Sequence, residues 1–201
     1  MNTPLLQDST QARIQRQVRH VVMAQIMNKL TQKIRSAYEQ IKKRPFDRLP
    51  LHGVGAEIGV YRGIHARKFL NRIAVQKLYV VDPWINYTQM FDLPQAERIC
   101  HFLLDGFEDR CVFCKATAQT ANLPQLDFAY IDALHTDEGV TADMETIWPL
   151  IKPGGIMGGH DFDTNWPGVV QGVIRFVAKN NLTLNVQSPD WWVVKSHNAS
   201  S

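Results

Sequence analysis

From residue 53 onward the chain alternates short apolar runs with helical periods, and that alternation constrains its fold more than any other feature. The runs are VGAEIGV, KLYVVD, CVFCK, LDFAYID and KPGGIMGGHD. Between them, GIHARKFLNRI carries Ile64, Phe69, Leu70 and Ile73 at helical spacing, and LPQAERICHFLLDGF opens with Pro94, suited to a first helical turn. TDEGVTADMETIWPLI offers Thr136 as N-cap, acids in its first turn, and Val140, Met144, Ile147 and Ile151 on one face. VVQGVIRFVAKN is a fourth helical stretch. Apolar runs without polar alternation, separated by helices, indicate a parallel sheet covered on both faces. The last two β-rich segments, LTLNVQ and WWVVK, have only SPD between them, too little chain for a crossover, so they pair antiparallel. The expected fold is α/β and Rossmann-like: a mostly parallel seven-stranded sheet with a C-terminal antiparallel hairpin strand, helices on both faces, and an N-terminal helical extension.

That extension has its own texture. Residues 10–43 place Ile14, Val18, Val22, Ile26, Leu30, Ile34 and Ile41 on one helical stripe, and KKRPFDRLP ends it at Pro45 and Pro50. The expected organisation is therefore residues 1–50 as a basic amphipathic extension and 51–201 as the main domain. The first 50 residues hold ten Lys/Arg against Asp8, Glu39 and Asp47, whereas the rest holds twelve against sixteen acids. A basic arm can touch phosphates or anionic lipid, but the commoner case is a solvated helix face, so neither nucleic acid nor membrane is the expected partner. The stripe suits packing on the body or on a second copy, a homodimer through this helix.

Three cysteines without an extracellular context do not make a disulfide framework. Cys111 and Cys114 are spaced as a redox or zinc half-site, yet in a strand positions i and i+3 face opposite ways, so core packing is expected. With no apolar stretch behind a basic N-terminus and no 18-residue apolar run, a cytoplasmic location is expected, and the N-x-S/T matches at Asn86, Asn181 and Asn198 are chance occurrences.

In open α/β sheets ligands bind outside the carboxyl ends of the strands. The first strand delivers Glu57, Gly59 and Gly63 to that edge, the second Asp82, the third Lys115-Ala116-Thr117, the fourth Asp132 with His135 close behind, and the fifth His160-Asp161. Neither G-x-G-x-x-G nor G-x-x-x-x-G-K-[ST] is present, which disfavours a dehydrogenase and a P-loop enzyme.

AEIGVYRG, LYVVDPW, DFAYIDALHTDEGVTADMETIWPLIKPGGIMGGHDF and DWWVVK, taken together and in this order, resemble the class I S-adenosylmethionine-dependent methyltransferases over about residues 53–195. Within that class the chain is most similar to the macrocin-type sugar O-methyltransferases and, more distantly, to catechol O-methyltransferase. The resemblance implies that Glu57, Gly59 and Gly63 border the methionine part of the cofactor, that Asp82 accepts hydrogen bonds from the ribose hydroxyls, and that Ala116 and Thr117 flank the adenine. It also implies a divalent-metal site at Asp132, His160 and Asp161, with a departure: magnesium-dependent relatives carry a carboxylate where this chain has His160.

Imidazole suits a transition metal better than magnesium, so four readings stay open: a transition-metal site, magnesium on Asp132 and Asp161, no metal with His135 or His160 as general base, or a His160 that only hydrogen-bonds the loop at the strand end. Relatives carry a histidine in segments like IDALH, which favours His135. The candidate catalytic residues are His135, Asp132 and His160, and Asp132 is also a candidate cofactor contact. The expected activity is O-methylation of a small hydroxylated acceptor such as a sugar or phenol. The competing reading is a non-catalytic S-adenosylmethionine- or nucleotide-binding module that uses the basic helix to hold a partner. Trp84, Tyr87 and Trp166 follow strand ends and can line an acceptor pocket or pack their own loops, and Asp163 can support the loop after the fifth strand.

Overall fold

The first strand, β1 (Gly53–Ile58), sits at the centre of a sheet whose order is β3-β2-β1-β4-β5-β7-β6. The computed structural model describes residues 45–86 and 92–197, so the helix expected over 10–43 and Tyr87 lie outside the described residues. The remaining strands are β2 (Val75–Val81), β3 (Cys111–Cys114), β4 (Leu126–Ile131), β5 (Ile151–Gly159), β6 (Asn185–Gln187) and β7 (Asp190–Val194). Pairing is parallel from β3 through β5, and β7 runs antiparallel to both of its neighbours, β5 and β6. The last strand thus inserts between β5 and β6. Chain order reverses between β1 and β4, which opens a crevice at their carboxyl ends.

Strand alternation sorts the core into two layers. Phe128 and Tyr130 of β4 join one apolar cluster while Ala129 and Ile131 join the other. Helices α1 (Ile64–Leu70) and α2 (Leu93–Leu103) cover the first cluster through Ala66, Phe69, Leu70, Leu93, Ala96 and Cys100. Helices α3 (Asp137–Ile147) and α4 (Pro167–Lys179) cover the second through Val140, Met144, Ile147, Val169, Val173 and Phe176. Thr136 caps α3 by accepting a hydrogen bond from the Gly139 amide at 3.1 Å, and Asp92 caps α2 from the Gln95 amide at 3.0 Å. At Gly172, α4 comes so close to α3 that an added methyl group would run into the Val140 side chain. Ion pairs Arg175–Asp137 and Lys179–Glu145 bridge the same two helices outside that contact.

Residues 45–50, which the sequence groups with the extension, belong to the same compact unit as the sheet. Phe46, in a short turn of 3-10 helix (Pro45–Arg48), is fully buried against Phe69 and Tyr130. Its amide donates to Asp190 Oδ2 at 2.8 Å, and the Tyr130 hydroxyl donates to Asp190 Oδ1 at 2.9 Å. Asp190 has no exposed surface, so both of its oxygens must be satisfied inside the protein. An aromatic anchor in a segment rich in Lys, Arg and Pro is what the sequence texture concealed.

Cys111 and Cys114 do fall on opposite faces of the sheet, one in each cluster, and both thiols are free. Burial pushes the Cys111 thiol up to about 12, which leaves it inert at neutral pH. Trp191 is fully buried and its neighbour Trp192 is partly exposed on the other face. No helix among the described residues is long and apolar enough to cross a membrane.

Candidate active site

At the end of β1 the backbone adopts left-handed conformations in quick succession, with φ of 83° at Gly59, 53° at Tyr61 and 75° at Gly63. Gly59 is obligatory for a second reason. A Cβ there would overlap the Asp132 carbonyl oxygen and lie 2.6 Å from the Ala133 Cα. The close approach that this glycine permits is therefore between β1 and the end of β4, the two strands that flank the crevice. Gly63, which caps α1, is pressed against Cys100.

Two acids line this edge from adjacent strands. Glu57 is buried at the end of β1, with His65 Nδ1 3.8 Å from its Oε1. His65 Nε2 lies 2.9 Å from Asp47 Oδ1, and Lys68 Nζ donates to Asp47 Oδ2 at 2.7 Å. Burial would lift the Asp47 carboxyl, but the His65 and Lys68 contacts outweigh it and hold it below its ordinary value. This chain of groups, running from the early turn to the crevice, was not found from the sequence, because its members are scattered over three elements. Asp82, 7% exposed at the end of β2, accepts hydrogen bonds from the Tyr61 amide at 2.9 Å and the Trp84 amide at 2.7 Å. Burial nevertheless leaves its pKa raised. Trp84 is itself buried, with its indole N–H donated to the Tyr61 carbonyl at 2.8 Å, so it packs this loop.

Past β3, Ala116 is half-buried and Thr117 exposed, the latter tied to Thr120. Gln119 Nε2 donates to Asp143 Oδ1 at 2.7 Å, which anchors this loop to α3. Asp143 is buried and burial raises its pKa. The signal was available: Asp143 interrupts the apolar stripe of α3, between Val140 and Met144.

The convergence of charge lies at the ends of β4 and β5. Asp132, His135 and Asp161 bring one donor atom each within 4.8 Å of one another. His135 Nε2 is 2.6 Å from Asp161 Oδ2 and 3.9 Å from Asp132 Oδ1. The Asp161 hydrogen bond raises the His135 pKa against the opposing effect of burial, with the Asp132 charge adding to the rise. Burial would lift the Asp161 carboxyl, but His135 and His160 hold it far below the usual carboxylate range. His135 Nδ1 makes no hydrogen bond among the described residues, and the ring stacks on Trp166 at 4.2 Å. Trp166 is 41% exposed, so it borders the crevice mouth rather than the core.

His160 stands one step out from this trio. Its Nδ1 is 2.8 Å from Asp161 Oδ1, and its amide donates to the Ile131 carbonyl, extending the β4–β5 ladder. Asp161 takes a left-handed φ of 62°, uncommon without glycine, which turns the chain sharply out of β5. Asp163 accepts from the Asn165 amide at 2.7 Å and closes the loop that follows. The structure thus joins Asp132, Asp161 and His135, with His160 holding Asp161 from the other side. A carboxylate-held imidazole with an open nitrogen can take a proton, and two carboxylates plus one imidazole can bind a divalent cation.

Residues 56–162 match the family described as methyltransferase domain. The fold is similar to that of CalS11, a calicheamicin methyltransferase, with a TM-score of 0.58 and 16% identity over 96% of this chain and 94% of that one. Apo CalS11, described as a TDP-rhamnose 3'-O-methyltransferase, gives a TM-score of 0.53 and 18% identity over 79% of each chain. An O-methyltransferase from Bacillus cereus, in complex with SAH, gives 0.53 and 14% over 82% of this chain and 90% of that one. At these identities the likeness is one of fold. No curated protein matches the sequence.

Proposed function

The chain belongs to the methyltransferase-domain family, and from that premise we propose that it methylates a hydroxyl oxygen of a small acceptor, a sugar or phenol-like compound, using S-adenosylmethionine. The observation that carries this reading is the convergence of Asp132, His135 and Asp161 at the carboxyl ends of β4 and β5, on the same sheet edge as the turn that leaves β1. A hydroxyl is a poor nucleophile, and an O-methyltransferase needs a group at that place that removes or weakens its proton.

The residues at the adjacent strand ends fit the cofactor. Each Asp82 oxygen accepts one backbone N–H and keeps lone-pair capacity for a ribose hydroxyl. Glu57 offers a buried carboxylate for an ammonium group, with Gly59 and Gly63 shaping the turn beside it. Ala116 and Thr117, on the loop fixed by Gln119 and Asp143, would flank the adenine. The cofactor supplies an electrophilic methyl group on a sulfonium, so the protein's task is to orient the acceptor oxygen in line with it.

In the leading version, Asp161 fixes the His135 ring through Nε2, leaving Nδ1 to accept the acceptor's proton, and Asp132 stabilises the imidazolium that forms. The proximity of three ligand-type groups favours a second version in which Asp132, His135 and Asp161 hold a divalent cation. Such a cation would lower the pKa of a coordinated hydroxyl. The donor set fits a first-row transition metal, manganese included, better than magnesium because one ligand is a nitrogen. The free thiols suit a reducing compartment, the cytoplasm.

Transfer of labelled methyl from S-adenosylmethionine to a panel of sugars, nucleotide-linked sugars and phenols tests the proposal, with and without exhaustive chelation. Transfer to an acceptor oxygen is expected. Activity that survives chelation supports the His135 base, and activity lost on chelation and restored by manganese supports the cation. Transfer only to nitrogen or carbon acceptors would sink the O-methyl assignment.

A further inference from the structure

Arg62 is the one half-buried arginine among the described residues that makes no hydrogen bond. Its counterparts are all satisfied: Arg67 donates to the Leu103 carbonyl at 2.9 Å, Arg72 to Leu49 at 3.0 Å, and Arg110 to Val75 at 2.9 Å and Leu70 at 2.6 Å. The Arg62 Nε is buried with no partner, and no carboxylate among the described residues pairs with the guanidinium. A buried donor left unsatisfied is costly, more so when it belongs to a permanent cation. The group is also held in place. Its guanidinium lies over the Tyr61 ring, 4.8 Å from the centroid, and its backbone sits between two left-handed residues, Tyr61 and Gly63.

Its position says what kind of partner is missing. Arg62 occupies the turn from β1, which carries the buried Glu57, to α1, and the amide of the residue before it is bound to the buried Asp82. A ligand that meets both acids with hydroxyl and ammonium groups still has to place an anion. S-adenosylmethionine carries one, the carboxylate on the same carbon as its ammonium group. We infer that Arg62 binds the carboxylate of the cofactor's methionine tail, completing with Glu57 a paired recognition of its two opposite charges. The inference rests on the proposed S-adenosylmethionine site and adds a residue to it. A phosphate of a nucleotide-linked acceptor is the rival anion.

The test is calorimetric and needs no acceptor. S-adenosylhomocysteine and its decarboxylated analogue, the same thioether ending in a plain aminopropyl tail, are titrated into the full-length protein and into Arg62→Gln and Arg62→Lys. The wild type is expected to prefer the carboxylated ligand by about 10- to 100-fold, the range of one charged hydrogen-bonded pair. Arg62→Gln should lose that factor for S-adenosylhomocysteine and keep its affinity for the analogue within about twofold, the margin expected when the contact is absent. Arg62→Lys should recover part of the loss. Equal affinity of the wild type for both ligands overturns the inference even if the variants fail to fold. So does an Arg62→Gln variant that binds S-adenosylhomocysteine as the wild type does, which is the outcome if the arginine serves an acceptor phosphate, or one that loses both ligands equally. A wild type that binds neither ligand removes the cofactor site itself, a separate failure.

Discussion

Replacing His135 with alanine lowers kcat for O-methylation by about 10³-fold, within the range attributed to a positioned general base, while S-adenosylhomocysteine affinity changes by less than about threefold. The split follows from position: His135 sits at the β4–β5 edge with Asp161 and Asp132, whereas the proposed cofactor contacts come from β1, β2 and β3. Asp161→Asn is the informative companion. The Asp161 hydrogen bond is the main cause of the raised His135 pKa. A base must be neutral to act, so wild-type activity should rise with pH through that elevated value, above the ordinary 6.5 or so. Removing the carboxylate moves this acid limb toward lower pH and also reduces kcat, since the ring loses its anchor. Stability changes in the opposite sense. The charged pair contributes fully below the unfolded histidine value and is lost as pH rises through the folded one. Rate–pH profiles of the wild type and Asp161→Asn check the shift of the acid limb, and urea midpoints measured across the same pH range check the stability. An acid limb unmoved by Asp161→Asn, together with a fully active His135→Ala, would exclude His135 as the base.

Gly59→Ala is expected to cost about 3 kcal/mol or more of folding stability, the sum of a left-handed backbone unsuited to alanine and overlap in a packed site. The φ of 83° is strained for any side chain, and the added methyl would collide with the Asp132 carbonyl and the Ala133 backbone. Neither neighbour can swing away, because the Asp132 amide is bound to the Ile58 carbonyl at 2.8 Å and Gly59 is bound to Val81 at 2.9 Å. Relief therefore requires the β1 and β4 ends to part, which displaces Asp132 from His135. Urea denaturation measures the stability loss. A Gly59→Ala protein as stable as the wild type would mean that the strand ends do not meet as described.

What was legible in the sequence follows the physics of the elements. Continuous apolar runs ending in glycine or acid marked β1, β2, β4 and β5, because a strand buried on both faces leaves polar residues only where it exits the sheet. Asp132 and Asp161 were legible as neighbours for the same reason, since β4 and β5 pair in register from Phe128–Ile156 to Ile131–Gly159. Which histidine comes near both carboxylates was not. That geometry goes with the left-handed Asp161, which sets the direction of the chain after β5, and with Trp166, which stacks against the His135 ring. No periodicity encodes either. Nothing in GVYRG marks Arg62, because an unpartnered Nε is a property of the folded turn, and the links from Asp47 to His65 and from Phe46 to Asp190 join residues far apart in the chain.

In the proposed enzyme the crevice between β1 and β4 binds S-adenosylmethionine beside the Asp132–His135–Asp161 group. Calorimetric titration of the folded protein with S-adenosylhomocysteine tests it most directly, with Asp82→Ala alongside. One site per chain with a micromolar Kd, weakened about tenfold or more by Asp82→Ala through loss of its ribose hydrogen bonds, is the predicted result. Absence of binding to folded wild-type protein, or binding that Asp82→Ala leaves unchanged, would contradict it.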